Sequence, residues 1–284
     1  MTRPAAMREL SRRSRRSGET IGFVPTMGAL HAGHLAIMRR ARREHGRLAV
    51  SVFVNPLQFG PGEDFVAYPR NDVQDVRHCR YAGCDWLFMP QARTLYPADF
   101  ATRVVPGPVG SGWEGAVRQG HFAGVLTVVL KLLEIVEPDT MYLGQKDAQQ
   151  VAVISSMVRD LDLPVRIAVH PTVRERDGLA LSSRNVNLGA SDRTRAAGLA
   201  KALRAGKRAV RAGRRDARSI VAEARRTLRS EARPDAVDYL ALVDPRTFEP
   251  ISRLNGRGLL IAAIRIGRTR LIDNMPVAPA RKEA

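Results

Sequence analysis

Lysine, cysteine and aromatic residues are all scarce in this 284-residue chain. Its two cysteines, Cys79 and Cys84, supply neither a disulfide framework nor a metal-binding set. They read as plain reduced thiols, which suits a reducing cytoplasm. No apolar run approaches the ~20 residues that a membrane-spanning helix needs, so a membrane partner is not expected. The first twenty residues are rich in Arg and Ser but lack an apolar stretch, so they do not read as a secretory signal. A frayed basic terminus is the simpler reading, ahead of a transit peptide. There is no Walker A sequence. GSGWEG at 110–115 matches G-x-G-x-x-G in form only. Pro106 and Pro108 precede it, no helix clearly follows, and the acidic residue at the right interval, Glu134, lies inside a helical pattern. A flexible loop is the favoured reading there.

What the chain has in excess is arginine: 41 of them against five lysines, giving a formal net charge of +18. Much of the excess lies at the N-terminus and over 193–229. In the second region cations alternate with apolar residues such as Leu199, Leu203 and Val210 at helix-like intervals. That is the pattern of amphipathic helices with solvated basic faces. Clustered arginines can also neutralise nucleic-acid phosphates. No helix-turn-helix, RNP or zinc signature accompanies them, and aromatics make up only 5% of the chain. A nucleic-acid partner is therefore not expected.

The length allows a large core and one or two domains. Short β-rich runs at 21–25, 48–54, 86–89, 102–105, 140–143 and 165–169 alternate with helical patterns at 34–44, 73–82, 124–136 and 148–161. Such alternation implies parallel strands joined by right-handed crossovers, hence a Rossmann-like, doubly wound α/β domain. Ligands of such sheets bind beyond the carboxyl ends of the strands. Near Pro171 the texture changes. A polar loop at 177–185 leads into Ala/Arg-rich helices reaching about residue 232, then strand-like runs at 237–243, 259–266 and 269–272. The expected division is a ligand-binding domain over 1–173 and a smaller α+β domain over 174–284, with a hinge at 172–176 and the second domain acting as a lid.

The most informative stretch is PTMGALHAGH at 25–34, set between the 21–24 apolar run and a helical pattern. His31 and His34, three apart at a helix start, lie on nearly one face, near the free backbone N–H groups of the first turn. A helix N-terminus attracts phosphate, and imidazole N–H groups add donors to charge that develops during nucleotidyl transfer. Gly28 and Gly33 allow close approach of backbone and ligand. A pair of surface histidines after an ordinary turn is the competing reading of these residues alone. Lys146 in GQKD follows a strand and suits a phosphate as a point charge; locally, an ion-paired surface lysine is favoured. Ser182, Ser183 and Arg184 offer two hydroxyls and a guanidinium, or equally a capping cluster. Asp72 and Asp75 read as helix N-terminal acids.

The stretch at 25–34 resembles the nucleotide signature of the HxGH nucleotidyltransferase superfamily, and as a whole string that of the pantoate–β-alanine ligase family. Agreeing blocks follow in order: FVNPLQF at 53–59, LGQKDAQQ at 143–150 and DGLALSSRN at 177–185. Lesser matches at 68–70, 120–125 and 271–274 extend the resemblance from about residue 20 to 276. It implies ATP-dependent joining of (R)-pantoate and β-alanine through a pantoyl adenylate, with AMP and pyrophosphate released. ATP, with Mg²⁺ bridging its phosphates, is implied as substrate, and a homodimer as the assembly.

Carried over to matching positions, the ATP contacts are Met27, Gly28, Ala29, Leu30, His31, Ala32, Gly33 and His34. Further ATP contacts are Gly144, Gln145, Lys146 and Asp147, with the backbone of Val173 and Leu181 at the adenine and Ser182, Ser183 and Arg184 at the phosphates. His34, His31 and Lys146 are the implied catalytic residues. Gln58 and Gln150 would bind pantoate, with Gln58 also facing β-alanine; Asn55 and Met27 would line that pocket. Asp75 matches a family aspartate near the site. No protein cage for a metal is visible. Gln145 departs from the family's usual Glu, which removes a carboxylate beside the lysine.

Overall fold

Alternate residues of the first strand face opposite ways. In β1 (Ile21–Thr26), Ile21 and Phe23 enter one apolar cluster and Val24 another. The same alternation holds in β2 (Arg47–Val52), where Ala49 opposes Leu48 and Val50, and in β4 (Thr140–Gly144), where Met141 and Leu143 oppose Tyr142. A strand with both faces apolar must be covered on both sides, the condition of a parallel sheet. The computed structural model, which describes residues 1–63 and 65–279, shows this sheet. With β3 (Trp86–Phe88) and β5 (Arg166–His170) it runs in the order β3-β2-β1-β4-β5, every pair parallel.

The helices divide between the two faces. α1 (Pro4–Arg16), α6 (His121–Val136) and α7 (Ala148–Asp160) contribute Met7, Leu126, Val129, Leu133 and Val153 to one cluster. α2 (Ala32–Glu44) and α3 (Asp72–Tyr81) contribute Ile37, Met38, Ala41 and Cys79 to the other. Two four-residue helices, α4 (Ala92–Leu95) and α5 (Glu114–Val117), lie in the connections. This is the doubly wound α/β architecture expected from the sequence.

The chain separates into two units: Met1–Gly144 with Gln149–Pro171, and Gln145–Ala148 with Thr172–Ala284. The second is built from α8 (Ala190–Arg211), α9 (Ala217–Thr227), a π-helical turn at Leu228–Ala232, and an antiparallel sheet. Its strands β6 (Ala236–Val243), β7 (Gly258–Ile266) and β8 (Thr269–Val277) are consecutive neighbours. Leu199, Leu203 and Val210 of α8 pack with Ile220, Leu260 and Ile264, so the amphipathic pattern does cover a core.

Four local expectations are corrected. The N-terminus is no frayed tail: Met7, Ser11 and Ser14 are the buried stripe of α1, and Arg8 and Arg15 donate to the carbonyls of Glu134 and Glu137 at the end of α6. Residues 102–105 form no strand: the N–H of Val104 donates to Oγ1 of Thr127. The third C-terminal strand runs on to Val277 rather than stopping at 272, because β7 pairs with it along its whole length. The 110–115 stretch is a pinned turn rather than a loose loop. The amide of Gln149 donates to the carbonyls of Val109 and Gly112, and its Oε1 accepts the N–H of Glu114.

Candidate active site

The segments after β1 and β2 leave the carboxyl ends of two adjacent parallel strands. Between β1 and α2 the backbone makes a tight turn, with Gly28 at φ 85° and Ala29 at φ 49°. A Cβ on Gly28 would sit 2.8 Å from Oδ2 of Asp75, so only glycine fits. Asp75 holds the turn. Its buried carboxylate accepts the N–H groups of Ala29 at 3.0 Å and Leu30 at 2.8 Å. The sequence reading of Asp75 as a helix N-terminal acid missed this, because its partners lie 45 and 46 residues away. The cap of α3 is supplied by Asn71, whose side chain accepts from the N–H of Gln74.

His31 is itself the N-cap of α2. Its Nδ1 accepts the N–H of Gly33 at 3.1 Å, and Nδ1 of His34 accepts the N–H of His31 at 3.3 Å. The two rings are tilted against each other with centroids 4.1 Å apart. Because Nδ1 of each ring is an acceptor, a neutral imidazole here carries its hydrogen on Nε2. The N–H groups of Gly28, Ala29, Leu30, His31 and Gly33 already have acceptors, on Asp75 for Ala29 and Leu30 and on nearby side chains of the segment itself for the others. The donors characteristic of this helix start are thus imidazole N–H groups as much as backbone amides.

After β2, Asn55 is buried and uses both ends of its amide. Oδ1 accepts the hydroxyl of Tyr96 at 2.8 Å, and Nδ2 donates to Oε1 of Gln58 at 3.1 Å and to the carbonyl of Gly124 at 3.0 Å. Gln58 Nε2 lies 3.0 Å from Sδ of Met27. Gln58 therefore touches both Met27 and Asn55, joining the nucleotide motif to a carboxamide. The fit depends on Gly124, where a Cβ would meet the carbonyl oxygen of Leu57 at 2.1 Å. Gln150 lies half-buried on α7; its neighbour Gln149 is the one that is buried and pins the 110–115 turn.

A chain of three side chains, the buried His121 and the half-buried Arg118 and Glu63, supports Gln58 from behind. The carbonyl of Gln58 faces Nδ1 of His121 at 2.9 Å, and Arg118 Nη1 lies 3.0 Å from His121 Nε2. A carbonyl only accepts, so Nδ1 carries the hydrogen and Nε2 is an acceptor. Burial, and then the Arg118 charge, push the His121 pKa down to about 4, in keeping with this neutral ring. Arg118 is paired with Glu63 at 2.7 Å. Burial raises the Glu63 carboxyl, but the hydrogen bonds and charge of Arg118 outweigh it and hold the group below its usual range.

In the C-terminal unit, Val173 and Leu181 are joined across a hairpin, the N–H of Leu181 donating to the carbonyl of Val173 at 3.0 Å. Ser182 caps the 3-10 turn Ser183–Asn187 by accepting the N–H of Arg184, so the capping reading of that cluster holds for Ser182. Lys146 lies on the turn Gln145–Asp147, with Nζ 3.5 Å from Oδ1 of Asp147. Arginines of the basic stretch are paired with carboxylates of the C-terminal unit: Arg193 with Glu175 and Asp177, Arg195 with Asp192 and Asp235, Arg226 with Glu223.

A family model described as pantoate-beta-alanine ligase matches residues 1–276. This chain belongs to the pantoate–β-alanine ligase family. A pantothenate synthetase of Heliobacterium modesticaldum is 50% identical over 267 residues, covering 94% of this chain and 95% of that protein. The crystal structure of pantothenate synthetase from Thermus thermophilus matches with a TM-score of 0.93 at 47% identity, over 98% of this chain and 99% of that one. A pantoate-beta-alanine ligase from Francisella tularensis, crystallised with beta-gamma ATP and beta-alanine, matches with a TM-score of 0.79 at 35% identity, over 97% and 96% of the two chains. The activity of pantoate–β-alanine ligases is the ATP-dependent formation of pantothenate, and it is the activity of this chain. Among the described residues, no helix is long and apolar enough to cross a membrane.

Proposed function

We propose that this chain makes pantothenate in two steps on one nucleotide. An oxygen of the pantoate carboxylate attacks the α-phosphorus of ATP, and the bond to the β,γ-pyrophosphate breaks. The amine of β-alanine then attacks the acyl carbon, the amide forms, and AMP leaves with the attacking oxygen. The observation that carries this reading is the contact between Gln58 and Met27 at 3.0 Å. It sets a group able to hold a hydroxyl and a carboxylate against the nucleotide motif, where an acyl adenylate needs both. A nucleotidyltransferase that keeps the nucleotidyl group on its product has no use for such a neighbour.

His31 and His34 are assigned to the α-phosphate and leaving group through Nε2–H, with His34 as the proton donor. The loop residues Met27, Gly28, Ala29, Leu30, Ala32 and Gly33 line the nucleotide, with Gly144, Gln145 and Asp147. Lys146, Ser182, Ser183 and Arg184 take the β- and γ-phosphates, and the backbone of Val173 and Leu181 takes the adenine. Gln58 and Gln150 hold pantoate; Asn55, its own amide committed, orients Gln58. Catalysis here is positioning and charge stabilisation.

Among the described residues no three of His, Cys, Asp or Glu gather as a metal cage, and each oxygen of Asp75 already accepts a backbone N–H. These residues fit a magnesium ion that enters as part of the nucleotide substrate, on phosphate oxygens. We place the enzyme in a reducing cytoplasm, where the free thiols of Cys79 and Cys84 fit, and as a homodimer; sedimentation of the purified chain checks the assembly.

Pantoate labelled with ¹⁸O in its carboxylate tests the route. One labelled oxygen should appear in AMP. Label in inorganic phosphate, with ADP as the second product, would replace adenylation by an acyl phosphate.

A further inference from the structure

Asn274 of β8 is buried, yet none of its side-chain hydrogen bonds serves the sheet it belongs to. Its Nδ2 donates to the carbonyl of Gln145 at 2.8 Å and to that of Lys146 at 2.9 Å. Two carbonyls can only accept, so the orientation of the amide is fixed and Oδ1 is left to accept. The donor it receives is Nε2 of Gln145, at 3.2 Å. Three hydrogen bonds thus join one side chain to the turn that carries Lys146.

The asparagine is itself held. Its N–H donates to Oδ1 of the buried Asp273 at 2.8 Å, and Asp273 is gripped by Arg174 through Nη1 at 2.6 Å and Nη2 at 3.0 Å. Arg174 Nη2 also reaches the carbonyl of Asn274, and Nη1 that of Gly178. Arg174 is part of the hairpin that joins Val173 to Leu181. A continuous polar chain therefore runs from that hairpin through Asp273 and Asn274 to Lys146, all within the C-terminal unit.

We propose that Asn274 is the positioning residue of Lys146. Locked by Gln145 on one side and by the Asp273–Arg174 pair on the other, it sets the backbone from which the lysine reaches the nucleotide. Gln145, where the family usually has a carboxylate, supplies the donor that Oδ1 of Asn274 takes. The proposal rests on the assignment of Lys146 to phosphate. A misplacement of about 1 Å is enough to cost on the order of 10²-fold in rate.

The test is a double-mutant cycle on the full chain, read as pantoate-dependent ATP–pyrophosphate exchange well below the melting temperature. Asn274→Ala should lower the exchange rate about 10- to 100-fold while the pantoate KM stays within about twofold. Placed on Lys146→Ala, it should add nothing, because it acts only through the lysine. A merely structural asparagine would lower both backgrounds alike and move the pantoate KM, and that result overturns the proposal. Gln145→Ala, which removes one donor only, should show the same pattern more weakly and decides the matter if Asn274→Ala does not fold. Wild-type exchange in Lys146→Ala would remove the phosphate role of the lysine and this proposal with it. An impaired Lys146→Ala beside unaffected Asn274→Ala and Gln145→Ala would overturn the positioning role alone.

Discussion

The carboxylate of Asp75 accepts the N–H of Leu30 at 2.8 Å, and through it a helix on one side of the sheet fixes the turn that begins the nucleotide motif. Asp75→Ala should leave two N–H groups of that turn without their acceptor, destabilising the fold by about 1–3 kcal/mol. Adenylate formation should fall by about tenfold or more as His31 and His34 lose their placement. Urea unfolding and pyrophosphate exchange measure the two effects, and an unchanged exchange rate would remove Asp75 from the site.

His34→Ala should lower adenylate formation by ~10²-fold or more, the scale of losing one donor to a transition state. The same change also removes the acceptor of the His31 N–H, a cap worth about 0.5–2 kcal/mol. His34→Asn separates the roles, since its Oδ1 can replace Nδ1 while nothing replaces Nε2–H. It should melt near wild type yet be as inactive as the alanine variant. Activity near wild type in His34→Asn would deny the imidazole its donor role.

Gln58→Ala should raise the pantoate KM with little change for ATP, and Tyr96→Phe should do the same more weakly. Tyr96 acts at one remove, through the hydroxyl it donates to Asn55 at 2.8 Å. Steady-state kinetics with each substrate varied in turn show the split. An ATP effect larger than the pantoate effect in Gln58→Ala would misplace the pocket.

The pKa of His121 falls from 6.5 to about 4 on folding, through burial and then the Arg118 charge. Between these values the unfolded chain binds a proton that the folded chain does not, so stability rises with pH across the window. The contribution is intact above pH 6.5 and is lost as the pH falls towards 4. Melting temperatures measured from pH 4 to 7 should drop on acidification, and His121→Asn should flatten that part of the profile. A parallel profile in the variant would show that another group titrates there.

The elements whose signals are local were legible from the sequence. The strand at 21–26, the helix that contains His34 and the Ala/Arg-rich helices each declare themselves in periodicity and composition. The N-terminal helix did not, since its buried stripe is Met7, Ser11 and Ser14, and two serines carry no hydrophobic period. The strand-like 102–105 run is rich in β-branched residues, but the N–H of Val104 found a threonine hydroxyl in α6 instead of a strand. The family resemblance of the motifs brought out His31, His34, Gln58 and Lys146; residue type and spacing alone left surface histidines and an ion-paired lysine as open readings. Asp75, His121 and Asn274 act through partners 45 to 129 residues away, which only the folded chain brings near. All three are buried polar residues, and a polar residue type in the sequence does not say that it will be buried or with what it will pair.

The most direct measurement is ATP–pyrophosphate isotope exchange with pantoate present and β-alanine left out. Exchange that requires pantoate is the predicted result, because the acyl adenylate forms reversibly before the amine enters. Absence of exchange while AMP accumulates with all three substrates, or exchange that proceeds without pantoate, would contradict the two-step account.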